Sequence, residues 1–479
     1  MLSRLANQGL RRSSEVAMKS GVWHAQRATV VSGSSYIVPD WVAPWTQPMD
    51  DETFEKMQTM LAAPTPVGYE GAMTNGIIEP QLREAIPSWW VVHRFRSQAG
   101  IVVDTDPEAG PEKLTCMIVG HADKIRMQIR KIGDDGKIYI DSDSHMASTL
   151  LGRDVTIYSE SAEEPGSYRA LRGGTVEALG AIHFAEQNVR NGQKGVKPDQ
   201  LYVELGIHGE DRKKQVTEGL GLRVGDSIIM ERPIRRGVGR HTFTGAYLDN
   251  GLGCWVTAQA CAQMADDPTF VEVFDKVRVL YAFATHEEIG RFGSRMFAQH
   301  FKPDVILAVD VNHDYNAAPG ISSKRMPDIG MGQGPTVSLG SITSVHLNST
   351  VQRAAKRAEI PLQLDVVGRD TGTDAMAGVF ASVDSAATSI GIPIRNMHTA
   401  SETGCTDDVV AATHLVMETV RELYFEGLGA PYYGTFSHPN LTLATEITEV
   451  PESFFNKTEE EEGEQQEEEG ETTDGETKA

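Results

Sequence analysis

Five residues of this 479-residue chain have the types that hold divalent metals: His121, Asp249, Glu288, Asp310 and His398. Two imidazoles and three carboxylates make a mixed nitrogen–oxygen donor set suited to zinc, cobalt or manganese. Five such donors suffice for two ions if one carboxylate is shared. Glu287, beside Glu288, is then left over as a proton acceptor. Each motif alone is weak. An HxD triplet such as His121-Ala122-Asp123 arises by chance, a Glu-Glu pair is usually solvated surface, and an isolated His is commonly structural.

Context raises their weight. Leu114–Val119, Val277–Thr285, Val305–Val309 and Ala386–Ile392 are short apolar runs rich in β-formers, and each reads as a buried strand. His121, the Glu287–Glu288 pair, Asp310 and His398 follow the ends of these runs, where an open parallel sheet binds its ligands. Asp249 instead precedes an apparent helix. Helical periodicity marks 249–264, 345–358 and 407–424, the last with Val409, Val410, Leu415, Val416, Val420 and Leu423 on one stripe. The alternation predicts an α/β fold: a central mixed sheet flanked by helices. From about Arg126 to Arg240 the chain changes to Gly-rich, short alternating pieces such as Lys137-Ile138-Tyr139-Ile140. That stretch reads as a β-rich insertion dividing the catalytic domain into 50–125 and 241–430. Strand neighbours point to opposite faces, so His286 should diverge from Glu287. His313, three residues after Asp310, is a candidate for the pocket wall. His145, His183 and His208 fall in the insertion and are not taken as ligands.

The formal charge is −23, unevenly spread. Residues 1–36 hold five basic residues and one acid, a transit-like composition that predicts mitochondrial import. Residues 457–479 hold eleven acids and two bases in a low-complexity run expected to stay disordered. The acidic body argues against nucleic acid or an anionic membrane as partner. No apolar run is long enough for a membrane helix, so a soluble protein is expected. Cys116, Cys254, Cys261 and Cys405 form no CxxC pair and no disulfide framework.

From about Leu61 to Leu423 the chain resembles the M42 metallo-aminopeptidases, the glutamyl and tetrahedral aminopeptidase group. Eight segments occur in that family's order. Pro64-Thr65-Pro66-Val67-Gly68-Tyr69-Glu70 resembles its "PSGYE", and Gly120-His121-Ala122-Asp123-Lys124-Ile125 its "HMDEVG". Leu201-Tyr202-Val203-Glu204-Leu205-Gly206 resembles "LYVDIG", Leu248-Asp249-Asn250 "LDDR", and Glu287-Glu288-Ile289-Gly290 "EEVG". Val309-Asp310-Val311 resembles "IDV", Gly372-Thr373-Asp374-Ala375 matches "GTDA", and Arg395-Asn396-Met397-His398 resembles "RYIH".

The resemblance implies a zinc-peptidase-like catalytic domain and two divalent ions per subunit. His121 and Asp310 would complete one site, Glu288 and His398 the other, and Asp249 would bridge them. Asp123 would orient the His121 imidazole. Glu287 would take a proton from a metal-bridging water and hand it to the leaving amine, releasing the N-terminal residue of a peptide with a free amine. The resemblance also implies a large homo-oligomer assembled through the β insertion. Asn250, Gly251 and Lys124 depart from the family pattern, and the loop 314–320 is longer than the family's. Alternatives from the same ligand set are a metal-dependent carboxypeptidase or amide deacylase. From another class, the chain would be a catalytically silent assembly protein with the same fold.

Overall fold

The computed structural model describes residues 43–426, apart from 96–99, 162, 165, 179 and 321–325. The basic segment 1–36 and the acidic segment 457–479 both lie outside the described residues. In chain order the strands are β1 (Val91–Arg94), β2 (Ile101–Asp104), β3 (Leu114–His121), β4 (Met127–Ile132), β5 (Ile138–Ser142), β6 (Asp154–Glu160), β7 (Tyr168–Ala178), β8 (Leu201–Glu204) and β9 (Ser227–Met230). They continue as β10 (Arg235–Arg236), β11 (Thr242–Gly245), β12 (Val277–Ala284), β13 (Val305–His313), β14 (Thr336–Gly340), β15 (Gln363–Val367), β16 (Ala386–Ile394) and β17 (Glu402–Cys405). The helices used below are α1 (Asp51–Leu61), α2 (Leu248–Asp266), α3 (Phe292–Phe301), α4 (Val345–Ala358) and α5 (Thr406–Glu426).

The central sheet has the order β1-β2-β12-β3-β13-β16-β14-β15. Its middle, β12-β3-β13-β16, is parallel throughout, and antiparallel pairs flank it on both sides. The fold is therefore α/β around a mixed sheet. β3 and β16 are buried at every position, as runs of Val, Ile, Leu and small residues must be when helices cover both faces. On one face α2 and α5 build the main core with Trp255, Val256, Leu415, Val416 and Val420. On the other, Phe297 and Ala298 of α3 pack on Met117, Val119, Leu280 and Ile306. α2 is apolar nearly all round because it lies between sheet and helices rather than at the surface.

Strands β4 to β9 close into a six-stranded antiparallel barrel, ordered β4-β5-β8-β7-β6-β9. Its interior is a separate core of Met127, Ile129, Ile138, Val155, Ile157, Val203 and Ile228. Closure removes free strand edges. β10 pairs not with the barrel but with β11, which pairs in turn with β17. This small sheet sets Gly245, just before Asp249, opposite Glu402, just after His398. The four cysteines are buried and free. Among the described residues no helix is long and apolar enough to cross a membrane.

Candidate metal centre

The C-terminal ends of the parallel strands carry the donors. His121 is the last residue of β3, and Glu287 and Glu288 follow β12. Asp310 lies in β13 opposite Gly391 of β16, and His398 sits in the turn beyond β16. Asp249 occupies the start of α2, where the backbone is not yet helical (φ −77°, ψ 111°). The Nε2 atom of His121 is 3.2 Å from Asp249 Oδ1 and 3.8 Å from Asp310 Oδ1. That of His398 is 3.1 Å from Asp249 Oδ2 and 3.4 Å from Glu288 Oε2. Two donor groups result, His121–Asp249–Asp310 and Asp249–Glu288–His398, and they share Asp249. Glu287 belongs to neither and stands beside the first. Its Oε2 is 3.9 Å from His121 Nε2, and its Oε1 accepts from Arg291 Nε at 3.1 Å.

Main-chain contacts fix this arrangement. The Asp123 carboxylate accepts from the backbone N–H of Glu287 (3.0 Å) and of Glu288 (3.1 Å), so it holds the glutamate pair as one unit. Toward His121 its own carbonyl oxygen lies 3.2 Å from Nδ1 and its Oδ1 3.5 Å. Glu402 accepts from the N–H of Leu248 (2.5 Å) and of His398 (2.7 Å), tying together the segments that carry Asp249 and His398. Asn250 donates to the Val309 carbonyl (2.8 Å) and accepts from Gly253 N–H (2.8 Å). An ionised Asp could not make the first bond, which explains how an amide serves at this position. Where β3 crosses α2, a Cβ on Gly120 would lie 2.7 Å from the Gly253 carbonyl carbon, so only glycine fits. Lys124 is buried and donates to the Leu61 carbonyl at the end of α1 (2.7 Å) and to the Ala63 carbonyl just past it (2.5 Å), and burial pulls its pKa down to about 7.

The electrostatics call for a cation. Burial, then the Asp249 charge, pushes Glu288 up to about 7. Burial also raises Glu287 and Asp310 well above the usual carboxylate range, with neighbouring Asp374 and Asp249 adding to it. Burial lowers the basicity of His398, but hydrogen bonds to Asp249 and Glu288 outweigh it and hold the imidazole at about 11. Glu288 Oε1 is buried with no hydrogen-bond partner among the described residues. A buried carboxylate oxygen without a partner is costly unless a cation meets it. The donors present therefore fit a pair of divalent ions, with histidine and carboxylate ligands of the kind zinc, cobalt and manganese accept.

The profile of the M42 glutamyl aminopeptidase family matches residues 100–415. The chain belongs to that family. It is similar to the lysyl aminopeptidase of Pyrococcus furiosus, at 24% identity over 77% of this chain and 97% of the relative. In fold it is similar to the TET aminopeptidase of a marine-sediment Thaumarchaeota archaeon (TM-score 0.65, 23% identity, 78% of this chain and 98% of that one). It also resembles the TET1 peptidase of Pyrococcus horikoshii (TM-score 0.59, 21% identity, 76% and 98%). The protein is thus a peptide-bond hydrolase of a metal-dependent aminopeptidase family.

Further residues of this M42 member fall around the centre. His286 has a left-handed φ of 57° and turns to Glu70, with Nδ1 3.1 Å from Oε1, while Glu287 faces the donors. His313 is exposed at the end of β13 with its ring 5.8 Å from Tyr315. His145 of the insertion is buried, bonded to Ser142 Oγ at 2.9 Å, and burial followed by the His398 charge depresses it to about 3. Asp374 of the GTDA motif accepts from Ser294 Oγ (2.5 Å). Burial raises it to about 6, and its charge in turn helps to raise Glu287 and Asp310. Glu402 and Arg291 carried no motif that would have singled them out.

Proposed function

We propose that this M42 protein is a two-metal aminopeptidase in which His121, Asp310 and Asp249 hold one ion and Glu288, His398 and Asp249 the other. Bound there, divalent ions supply Lewis-acid polarisation of the scissile carbonyl and a water of lowered pKa. Glu287 accepts a proton from the attacking water and delivers it to the leaving amine. Arg291 holds Glu287 Oε1 and leaves Oε2 as the oxygen nearer His121. Asp123 and Glu402 keep base and donors at fixed spacing through the main chain. The observation that carries the reading is the sharing of Asp249 by two donor groups, with Glu287 in neither.

The test reconstitutes the protein with Zn, Co or Mn and compares unblocked aminoacyl p-nitroanilides with their N-acetylated forms. Hydrolysis of the unblocked set alone is expected. Cleavage of the acetylated set at equal rate would point instead to an amide deacylase, and release of the C-terminal residue from an N-acetylated dipeptide to a carboxypeptidase.

The TET1 peptidase of Pyrococcus horikoshii can assemble into a tetrahedron or a large octahedral shell, and this supports a homo-oligomer here, with the barrel as the contact module. Light scattering should give a mass many times 52.3 kDa; a monomer at micromolar concentration ends this proposal. The basic, acid-poor segment 1–36 supports mitochondrial import. A reporter fused to it should enter mitochondria, and a diffuse cytosolic signal refutes that reading.

A further inference from the structure

The turn that carries the base is held from outside. Its own hydrogen bonds end on its carbonyls: Gly290 and Arg291 donate to that of Glu287, and Phe292 to that of His286. The N–H groups of His286, Glu287 and Glu288 go instead to carboxylates from elsewhere in the chain. Asp123 takes those of Glu287 and Glu288 (3.0 and 3.1 Å). Glu70 Oε1 takes that of His286 at 3.3 Å and also stands 3.1 Å from His286 Nδ1. The left-handed conformation of His286 (φ 57°) gathers these successive N–H groups on one side, an arrangement that suits anions. Glu70 is 3% exposed, and the same Oε1 accepts from Gly68 N–H at 2.9 Å. Its segment is pinned independently of the turn. Val67 N–H donates to the Lys124 carbonyl (3.1 Å), Lys124 N–H to that of Thr65 (2.8 Å), and Arg126 Nη1 to that of Val67 (3.1 Å). Glu70 and Asp123 thus stand on two paired segments and both reach across to the turn. Glu70 belongs to neither donor group.

We propose that Glu70 is a positioning residue for the base. It fixes the entry to the turn through the N–H and imidazole of His286, and so sets the direction in which the next residue, Glu287, points. The proposal rests on the reading of Glu287 as the base. Reach should matter more than charge, because displacing a catalytic group by about 1 Å can cost about a hundredfold in rate.

The test uses the metal-loaded full chain and the variants Glu70→Gln, Glu70→Asp, Glu70→Ala, His286→Ala and the double variant Glu70→Ala/His286→Ala. Gln keeps the length and an acceptor oxygen, whereas Asp keeps the charge and withdraws it by one methylene. On unblocked aminoacyl p-nitroanilides, kcat should fall about tenfold to a hundredfold in Glu70→Asp and Glu70→Ala with KM within about twofold of wild type. Glu70→Gln should recover most of that loss. Chelator competition gives a readout without turnover: metal affinity should stay within about threefold of wild type, since Asp123 still holds Glu288. The double variant should match Glu70→Ala, because contacts in one network do not add; losses that multiply would mean that Glu70 does not act through His286. Three further results overturn the proposal. Glu70→Asp at least as active as Glu70→Gln makes charge the source. Wild-type kcat with only a lower melting temperature makes Glu70 a packing residue. Turnover restored by excess metal places its action on Glu288 as a ligand. The Gln–Asp comparison decides even if the alanine variants do not fold. Wild-type kcat in the Glu70 variants beside an inactive Glu287→Gln sinks this inference alone, whereas full activity in Glu287→Gln sinks the base assignment.

Discussion

Glu287 and Glu288 are adjacent, similarly buried and chemically identical, so changing each to Gln separates their roles with little steric disturbance. A Gln at 287 still offers a carbonyl oxygen to Arg291, whose Nε lies 3.1 Å from Glu287 Oε1. The folding cost is then the difference between a charged and a neutral hydrogen bond, roughly 1 kcal/mol. What disappears is the proton acceptor, and kcat should fall by roughly 10²–10⁴-fold. Neither donor group includes Glu287, so the metal content should not change. At 288 the losses reverse. Its Oε2 is 3.4 Å from His398 Nε2 within a donor group, and its Oε1 is buried without a partner among the described residues. A neutral amide there removes an anionic ligand, and affinity for one ion should drop by more than the roughly 10–100-fold typical of lost outer-sphere contacts. Activity should fall in Glu288→Gln too, but partly return in excess metal. Elemental analysis and turnover measured together on both variants decide the matter. Wild-type turnover in Glu287→Gln would refute the base assignment, and exchanged phenotypes would mean that the two roles are reversed.

Other perturbations probe the frame. Glu402→Gln offers one acceptor where two N–H groups now bond, so metal affinity should weaken by roughly tenfold or more; a chelator-competition titration identical to wild type would show that Glu402 positions nothing. Chelation should lower the melting temperature, since ions bind only the folded centre, and re-addition should restore it; a melting temperature indifferent to chelator contradicts the metal centre. Arg278→Met should destabilise by about 3–5 kcal/mol, because it leaves Asp104 buried with His93 as its one remaining side-chain partner among the described residues. In the wild type burial pushes the Asp104 carboxyl up, but Arg278 and His93 outweigh it and hold it at about 2. A depressed carboxyl stabilises above its unfolded pKa and loses that contribution as pH falls toward 2. The gap in melting temperature between wild type and variant should therefore be widest above about pH 5 and narrow in acid; a gap independent of pH would mean that the ion pair is not its source.

The parallel centre of the fold was legible because strands buried on both faces must be apolar runs. Val345–Ala358 was legible as a helix because one face alone is buried, and the structure bounds it at those residues. The flanking strands were not. β15 is buried at one position alone, and β1 and β2 are four residues each, too short for a period to register. At the site, chemistry-bearing residue types behind strand ends pointed to the donors. Glu402 escaped notice because its work is to accept two main-chain N–H groups, one of them at residue 248, which no local pattern records. Asp123 was expected to act on an imidazole; its Oδ1 lies 3.5 Å from His121 Nδ1, but its carboxylate also bonds the main chain of the glutamate pair, which no local pattern records. Arg291 sits four residues after Glu287, but the intervening backbone is not helical, so the spacing gave no hint of contact.

Gly120, Gly253 and the Val309 carbonyl meet backbone to backbone. A Cβ on Gly253 would stand 2.2 Å from the Val309 oxygen, just as one on Gly120 would strike Gly253. The segments bearing His121, Asp249 and Asp310 are therefore spaced by peptide dimensions, which do not change when an aliphatic neighbour is exchanged for another. Two absent side chains are thus the gauge that sets the interval between donors.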